Sequence, residues 1–463
     1  MPYLMPDTVI IGGGISGLAA AYYLAKGGCS ATIVESRPRL GGVIETVHMD
    51  GCTIEAGPDS FLSAKPAALE LINELGLGDQ VIGSNDHLRV TFVRRGGRLT
   101  PLPDGLMMMV PTKILPLVAT RLIGWRTKLR MAMELFRPPK PGVGDQSVSE
   151  FIEAHYGAEA VEYLAEPLLS GVYGGDPDDL SVRSVLPRFV ELAAQYGSLT
   201  RGVLAERAKA ARARAGAAPA PLFRTLQGGL GQMVGAIEAA IRDKVEVRHA
   251  RAETVERLGA GFRVRAAGDW MEAKRVVLAT EAHRGPALVG ALDCRVAELL
   301  GMVPYSSSLV IALGFDAADF EHPPVGFGFL VPRKERRLLT ACTWVGTKFC
   351  HRVPQGKMVA RCFAGGPDGA ALLAQSDESL FDAVTAELQE IAGFRARPRF
   401  RRIFRWPQAM ALYPVGHPAR IAELEARVAS IPGFYLAGNA YQGIGIPDCI
   451  RMGKAAAEKI LTG

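Results

Sequence analysis

A short apolar strand from Thr8 to Ile11 runs into Gly12-Gly13-Gly14-Ile15-Ser16-Gly17, and an Ala/Leu-rich helix then continues to about Lys26 before Gly27-Gly28. A second strand from Ala31 to Glu35 completes a βαβ-like unit. Few sequences satisfy this grammar without folding around a parallel sheet. Gly12 permits the tight turn, Gly14 lets the backbone approach a pyrophosphate, and Gly17 lets helix and strand pack closely. Gly13, Ile15 and Ser16 complete a loop whose amides stand at the positive end of the helix. Glu35 lies 18 residues past Gly17, where a carboxylate can accept from both ribose hydroxyls and would repel a 2′-phosphate. The unit predicts a site for FAD or NAD rather than NADP.

The chain has 463 residues, about three domain-sized masses at roughly 150 residues each. Hydrophobic residues make up 48% and charged residues 22%, near the averages for globular chains. Lys+Arg exceed Asp+Glu by 53 − 47 = +6, too mild a balance for a nucleic-acid footprint. Seven cysteines without a CxxC pair fit neither a disulfide framework nor a zinc site, so no metal and a reducing compartment are expected. From Met1 to Asp7 no basic region precedes an apolar core, and no secretory signal is expected. The stretch from Leu106 to Trp125 is broken by Pro111, Lys113, Pro116 and Arg121. It falls short of the ~18 apolar residues that a spanning helix needs.

Residues 104–135 form an amphipathic, proline-interrupted stretch, with four methionines between 107 and 131 and with Trp125. Its cations, Arg121, Arg126, Lys128 and Arg130, suit an interfacial surface on anionic lipid. A core-packed helical subdomain whose methionines line an entrance is an equal alternative. A loop is expected from Pro138 to Gly144, and Ser147-Val148-Ser149-Glu150 then reads as a capping box. Residues 203–221 read as an Ala/Arg-rich helix that ends in Ala-Pro-Ala-Pro, a connector. Short strands are expected from Val245 to Val247, Phe262 to Arg265 and Arg275 to Ala279. Others are expected from Leu309 to Phe315, Phe327 to Val331, Leu339 to Trp344 and Met358 to Phe363, as an antiparallel sheet. The end repeats the opening grammar: a strand from Gly433 to Ala437, a Gly-rich turn, and a helix from about Cys449 to Leu461.

Arg39-Leu40-Gly41-Gly42 gives a second glycine turn with a cation for the pyrophosphate, and Gly57-Pro58-Asp59-Ser60 a third tight segment. Gly438-Asn439-Ala440-Tyr441-Gln442-Gly443-Ile444-Gly445-Ile446-Pro447-Asp448-Cys449 lets backbone lie flat against a ring system, with a helix start behind it. Together these segments resemble the FAD-containing amine oxidase superfamily, which makes FAD the expected cofactor. The resemblance places Ala252 among the cofactor contacts, beside Ile444, Gly445 and Ile446. Cys449 reads as a buried small residue before a covalent flavin attachment.

The resemblance narrows further in Ser170-Gly171-Val172-Tyr173-Gly174-Gly175-Asp176-Pro177, Gly326-Phe327-Gly328-Phe329-Leu330-Val331-Pro332, and Arg405-Trp406-Pro407 with Tyr413 and Gly416-His417. These segments are similar to the protoporphyrinogen oxidase family, and Pro103-Asp104-Gly105 and Glu166-Pro167-Leu168-Leu169 to its bacterial, Gram-positive-type branch, which acts on coproporphyrinogen III as well as, or instead of, protoporphyrinogen IX. The resemblance implies a six-electron, oxygen-dependent oxidation of a porphyrinogen in heme synthesis. The flavin carries the chemistry and no side chain acts as catalyst. It points to Lys65 and Arg89 for the substrate propionates, with Thr91 where plant and mitochondrial members place an arginine. Gly171, Leu330 and Trp344 are the expected walls. His417 reads as a structural hydrogen-bonding residue before a general base. A peripheral contact with the inner face of the cytoplasmic membrane through 105–135, no nucleic acid, and a monomer or homodimer complete the expectation. The alternative is another amine oxidase or carotenoid-type desaturase of the superfamily. A flavin-binding protein without catalytic function is the third possibility.

The expected fold is α/β: a Rossmann-like FAD-binding domain with an inserted α+β substrate domain, built on an antiparallel sheet, and an α-helical membrane-facing domain. The FAD-binding domain would comprise 1–85, 222–285 and 430–463. The substrate domain would comprise 86–104, 197–221 and 286–429, and the helical domain 105–196.

Overall fold

The computed structural model describes residues 6–139, 144–213, 220–366 and 369–463. The expectations on Met1 to Met5, on the centre of the 138–144 loop and on the first half of the Ala-Pro-Ala-Pro connector lie outside the described residues. Thr8–Ile11 sits in the middle of a five-stranded parallel sheet between Ala31–Glu35 and Arg275–Leu278, with Val245–His249 and Phe434–Leu436 at the edges. Every residue of Thr8–Ile11 and Ala31–Glu35 is buried. A parallel strand covered on both faces needs no polar alternation, so these strands read as continuous apolar runs. Helix Ile15–Lys26 packs on Ile446–Thr462 and Gly231–Ile241. The first pair approaches closely because a Cβ on Gly453 would stand 2.2 Å from the Ser16 carbonyl oxygen. The sheet thus draws its strands from three separate stretches, 8–35, 245–278 and 434–436.

The three short strands expected between 245 and 279 do not stay together. Arg275–Leu278, almost wholly buried, joins the parallel sheet. Gly261–Ala266 buries Phe262, Val264 and Ala266 in alternation and forms the centre of a separate antiparallel sheet with Ala252–Leu258 and Asp269–Ala273.

A seven-stranded sheet runs in the order Phe400–Ala411, Tyr305–Asp316, Lys357–Gly366, Leu339–Trp344, Gly328–Leu330, Thr91–Arg95, Arg98–Pro101. It is antiparallel except where Gly328–Leu330 pairs with Thr91–Arg95. The edge strand Phe400–Ala411 was not foreseen. Its arginines and Pro407 mask the period, and the register shifts between Ser306 and Ser308 where Pro407 would have to pair.

The capping box forms: Glu150 N donates to Ser147 Oγ at 3.1 Å and Ser147 N to Glu150 Oε2 at 3.0 Å, starting Val148–Tyr156. Residues 106–134 fold as two strand fragments followed by Ile114–Ala119 and Trp125–Glu134. The basic helix spans Leu199–Ala213. Among the described residues no helix is long and apolar enough to cross a membrane.

Candidate functional site

One continuous cavity of about 1310 Å³ extends from the carboxyl ends of the parallel strands to the seven-stranded sheet. A single small-molecule site occupies roughly 300–1,000 Å³, so this one has room for a dinucleotide and a second large molecule.

The glycine loop builds the first end. Gly12, at φ +108°, donates its amide to Val34 O at 2.9 Å, and a Cβ there would stand 2.7 Å from Ala279 O. A Cβ on Gly17 would stand 1.9 Å from Gly12 O, so helix and turn can touch only through glycine. Gly14 is different: nothing lies within 4 Å of the position a Cβ would take, and the residue faces the cavity. Gly14 also caps the helix without a side chain. The first-turn amides of Ile15–Lys26 are therefore left for an anion from outside the helix.

Ile15 and Ser16 line the cavity, whereas Gly13 and Gly17 stand behind it. Gly13 donates to Glu35 Oε2 at 2.7 Å, and Arg37 N donates to Glu35 Oε1 at 2.8 Å. Glu35 is thus fixed in place at the cavity wall, and Ala252 lines the same cavity.

Gly41 and Gly42 line the cavity and, at φ +97° and +60°, fold the second turn onto Gly14. Arg39 does not line it. Its guanidinium donates to the carbonyls of Leu40, Gly42 and Ile44 and pairs with Glu45 at 2.7 Å. It shapes the turn from behind, and the expected pyrophosphate cation is corrected on that ground. Gly57, Pro58, Asp59 and Ser60 all line the cavity. A Cβ on Gly57 would meet Val43 O at 2.2 Å.

The C-terminal segment closes the same space with Gly438, Asn439, Ile444, Gly445 and Ile446. Asn439 is held on three sides: Tyr305 OH donates to its Oδ1, its Nδ2 donates to Ala409 O, and Tyr413 OH donates to its carbonyl at 2.6 Å. Gly443 lies off the cavity, and a Cβ there would strike the Asp448 carboxylate at 2.5 Å. Cys449 lines the cavity as a buried thiol, pushed up to about 11 by burial, which keeps it protonated and a poor nucleophile. His417 does not reach the cavity. It is buried and stacked on Tyr413 at 4.2 Å, and burial pulls it down to about 4.

At the second sheet, Gly171 and Leu330 face each other, a Cβ on Gly171 standing 3.7 Å from Leu330 Cδ2, and Thr91 lines the cavity. Three expected contacts are not brought there. Lys65 is 46% exposed and pairs with Asp448 at 2.6 Å. Arg89 is exposed on the loop before the Thr91–Arg95 strand. Trp344 points into the core behind the sheet, beside Phe394. Cations that sequence reasoning missed line the cavity instead: Lys348, Arg361, Arg333 and Arg336. Arg336 is committed to Glu166 at 2.6 Å, and Arg333 pairs with Asp176. Burial pushes the Asp59 carboxyl up, but Lys348 and Arg361 outweigh it and hold the group well below the usual carboxylate range. Burial lowers both Lys348 and Arg361, with Asp59 opposing. Arg361 had a visible signal, an arginine inside the apolar run Met358 to Phe363; Lys348 had none.

An uncapped helix start, an open glycine and a fixed carboxylate form a cradle suited to a dinucleotide, and the residues fit one. The family model for flavin-containing amine oxidoreductases matches residues 15–461. The chain belongs to this family. It is an oxidoreductase, and its cofactor is FAD. This flavin-containing amine oxidoreductase is 35% identical to the coproporphyrinogen III oxidase of Bacillus subtilis (strain 168), over 98% of this chain and 97% of that protein. It is 31% identical to that of Staphylococcus aureus, over 98% and 99%. A crystal structure assigned provisionally as a protoporphyrinogen oxidase, from Exiguobacterium, superposes with a TM-score of 0.87 at 32% identity, over 98% of each chain. Putrescine oxidase, at 19% identity and a TM-score of 0.73, shares the fold.

Proposed function

We propose that this flavoenzyme oxidises a porphyrinogen, with coproporphyrinogen III first among candidates, to the porphyrin in heme synthesis. The observation that carries the proposal is near-complete alignment with coproporphyrinogen III oxidases at 31–35% identity, joined to a cavity too large for the cofactor alone. Bound, FAD supplies two-electron acceptance as hydride, and removing six hydrogens from the macrocycle takes three such rounds, with O2 as the final acceptor.

The chain's own residues bind and orient. Gly12, Gly14, Ser16, Gly41 and Gly42 would cradle the pyrophosphate and Glu35 the adenosine ribose, with Ala252 beside the adenosine. Gly57 to Ser60 and Gly438 to Ile446 would hold the ring, and Gly171 and Leu330 a flat apolar slot in front of it. The same reading assigns FAD-binding to 1–85, 222–285 and 430–463, with the other segments inserted.

Peripheral membrane contact belongs to the same proposal. Ile114, Leu115, Val118, Trp125, Leu129, Met133 and Phe136 are exposed, between 51% and 84%. Arg121, Arg126, Lys128 and Arg130 lie among them, the composition of an interfacial surface on the inner leaflet.

Mixing the holoenzyme with coproporphyrinogen III, protoporphyrinogen IX or an amine in air tests the function. Porphyrin fluorescence is expected to rise with a porphyrinogen. Flavin bleaching by the amine alone would overturn the proposal.

A further inference from the structure

The wall that the seven-stranded sheet gives the cavity carries a charge imbalance. Lys348 Nζ stands 2.9 Å from both Asp59 oxygens and 3.2 Å from Ser60 Oγ. Arg361 reaches the same carboxylate at 3.2 Å and donates to Gly57 O at 2.5 Å. Behind them Arg352 pairs with Glu55 at 3.0 Å and donates to Thr225 Oγ1 at 2.6 Å. Arg361, Arg352 and Glu55 are no more than 2% exposed. Three cations therefore meet two carboxylates, and one positive charge is left over. Arg361 Nε is buried without a hydrogen-bond partner. A buried charge without its counterpart is costly, and such a site favours an anion that enters the cavity.

We infer that Lys348, Asp59 and Arg361 form an anion site that receives one carboxylate of the macrocyclic substrate. The inference rests on the porphyrinogen function proposed above. Arg361, from Lys357–Gly366, belongs to the same sheet as Leu330, and Lys348 ends the short turn Val345–Lys348 that directly follows that sheet's strand Leu339–Trp344. The dinucleotide cradle lies on the other sheet, so its phosphates are not the anion this wall meets. Asp59 fixes both cations and cancels one of them, which sets the surplus at a single charge. A substrate that carries a carboxylate on every pyrrole presents one to this wall in any rotation within the slot. One with carboxylates on only one side does so in some rotations.

Equilibrium binding of coproporphyrin III and protoporphyrin IX to the FAD-loaded protein, read by fluorescence quenching, tests the site. Sulfite titration of the flavin absorbance, run beside it, reports the charge felt by the cofactor. Lys348→Gln removes the surplus and is expected to weaken coproporphyrin binding about tenfold, the scale of one charged hydrogen bond. Asp59→Asn raises the surplus by one and is expected to tighten it by a similar factor. Sulfite affinity stays within twofold in Lys348→Gln, whereas Asp59→Asn, at a residue beside the ring, is judged on porphyrin binding alone. Opposite signs separate a charge effect from damage to the fold. Equal binding in all three proteins, weakening in both variants, or a change confined to sulfite affinity overturns the inference. Absence of porphyrin binding by the unsubstituted protein instead overturns the porphyrinogen proposal, and this inference with it.

Discussion

Gly17 shows how much a single residue decides. A Cβ there would stand 1.9 Å from Gly12 O, so Gly17→Ala must move the turn proposed to cradle the pyrophosphate. The expected cost is about 1–3 kcal/mol, and the purified variant should carry little FAD, read from its flavin absorbance per protein. His417 acts through stability. Burial holds its folded pKa near 4 against an ordinary 6.5, so the unfolded chain takes up a proton first as pH falls. His417 therefore contributes stability that is complete above pH 6.5 and is lost as pH falls toward 4, up to about 3 kcal/mol in all. His417→Phe, which preserves the stack on Tyr413, is expected to flatten this part of the Tm-against-pH curve. Glycines were legible in the sequence because their role is written in backbone geometry. Lys65, Arg89 and Trp344 were not: Asp448, which takes Lys65, lies 383 residues away.

Among the elements, the opening βαβ unit was readable because its period, turn and carboxylate all agree. The capping box at Ser147 was readable for the same reason. Ser147→Ala is expected to lower stability by about 1 kcal/mol in urea denaturation. The Phe400–Ala411 edge strand was hidden because Arg401, Arg402, Arg405 and Pro407 interrupt its pattern, although the three arginines themselves pair with Tyr305–Asp316. The exposed stretch between 114 and 136 yields a prediction of its own. Leu115 and Phe136 are 82% and 84% exposed. Replacing both with Asp is expected to weaken sedimentation with anionic vesicles by roughly a hundredfold or more, while FAD content stays constant. Unchanged sedimentation would assign this surface another role.

Taken whole, the molecule joins two sheets of different origin around one cavity. The parallel sheet is assembled from residues 8–35, 245–278 and 434–436, so its last strand cannot be placed until the segments between them are made. That return was visible in sequence because the closing strand, Gly-rich turn and helix repeat the opening grammar. The cations on the far wall were not visible, since Lys348 and Asp59 meet only when the two sheets face each other. The central claim, that this cavity pairs FAD with a porphyrinogen, predicts a stoichiometry. In an anaerobic titration of the holoenzyme with coproporphyrinogen III, flavin bleaching and porphyrin absorbance should rise together at about three flavins reduced per macrocycle. A fully loaded enzyme whose flavin stays oxidised in the presence of excess porphyrinogen would contradict it.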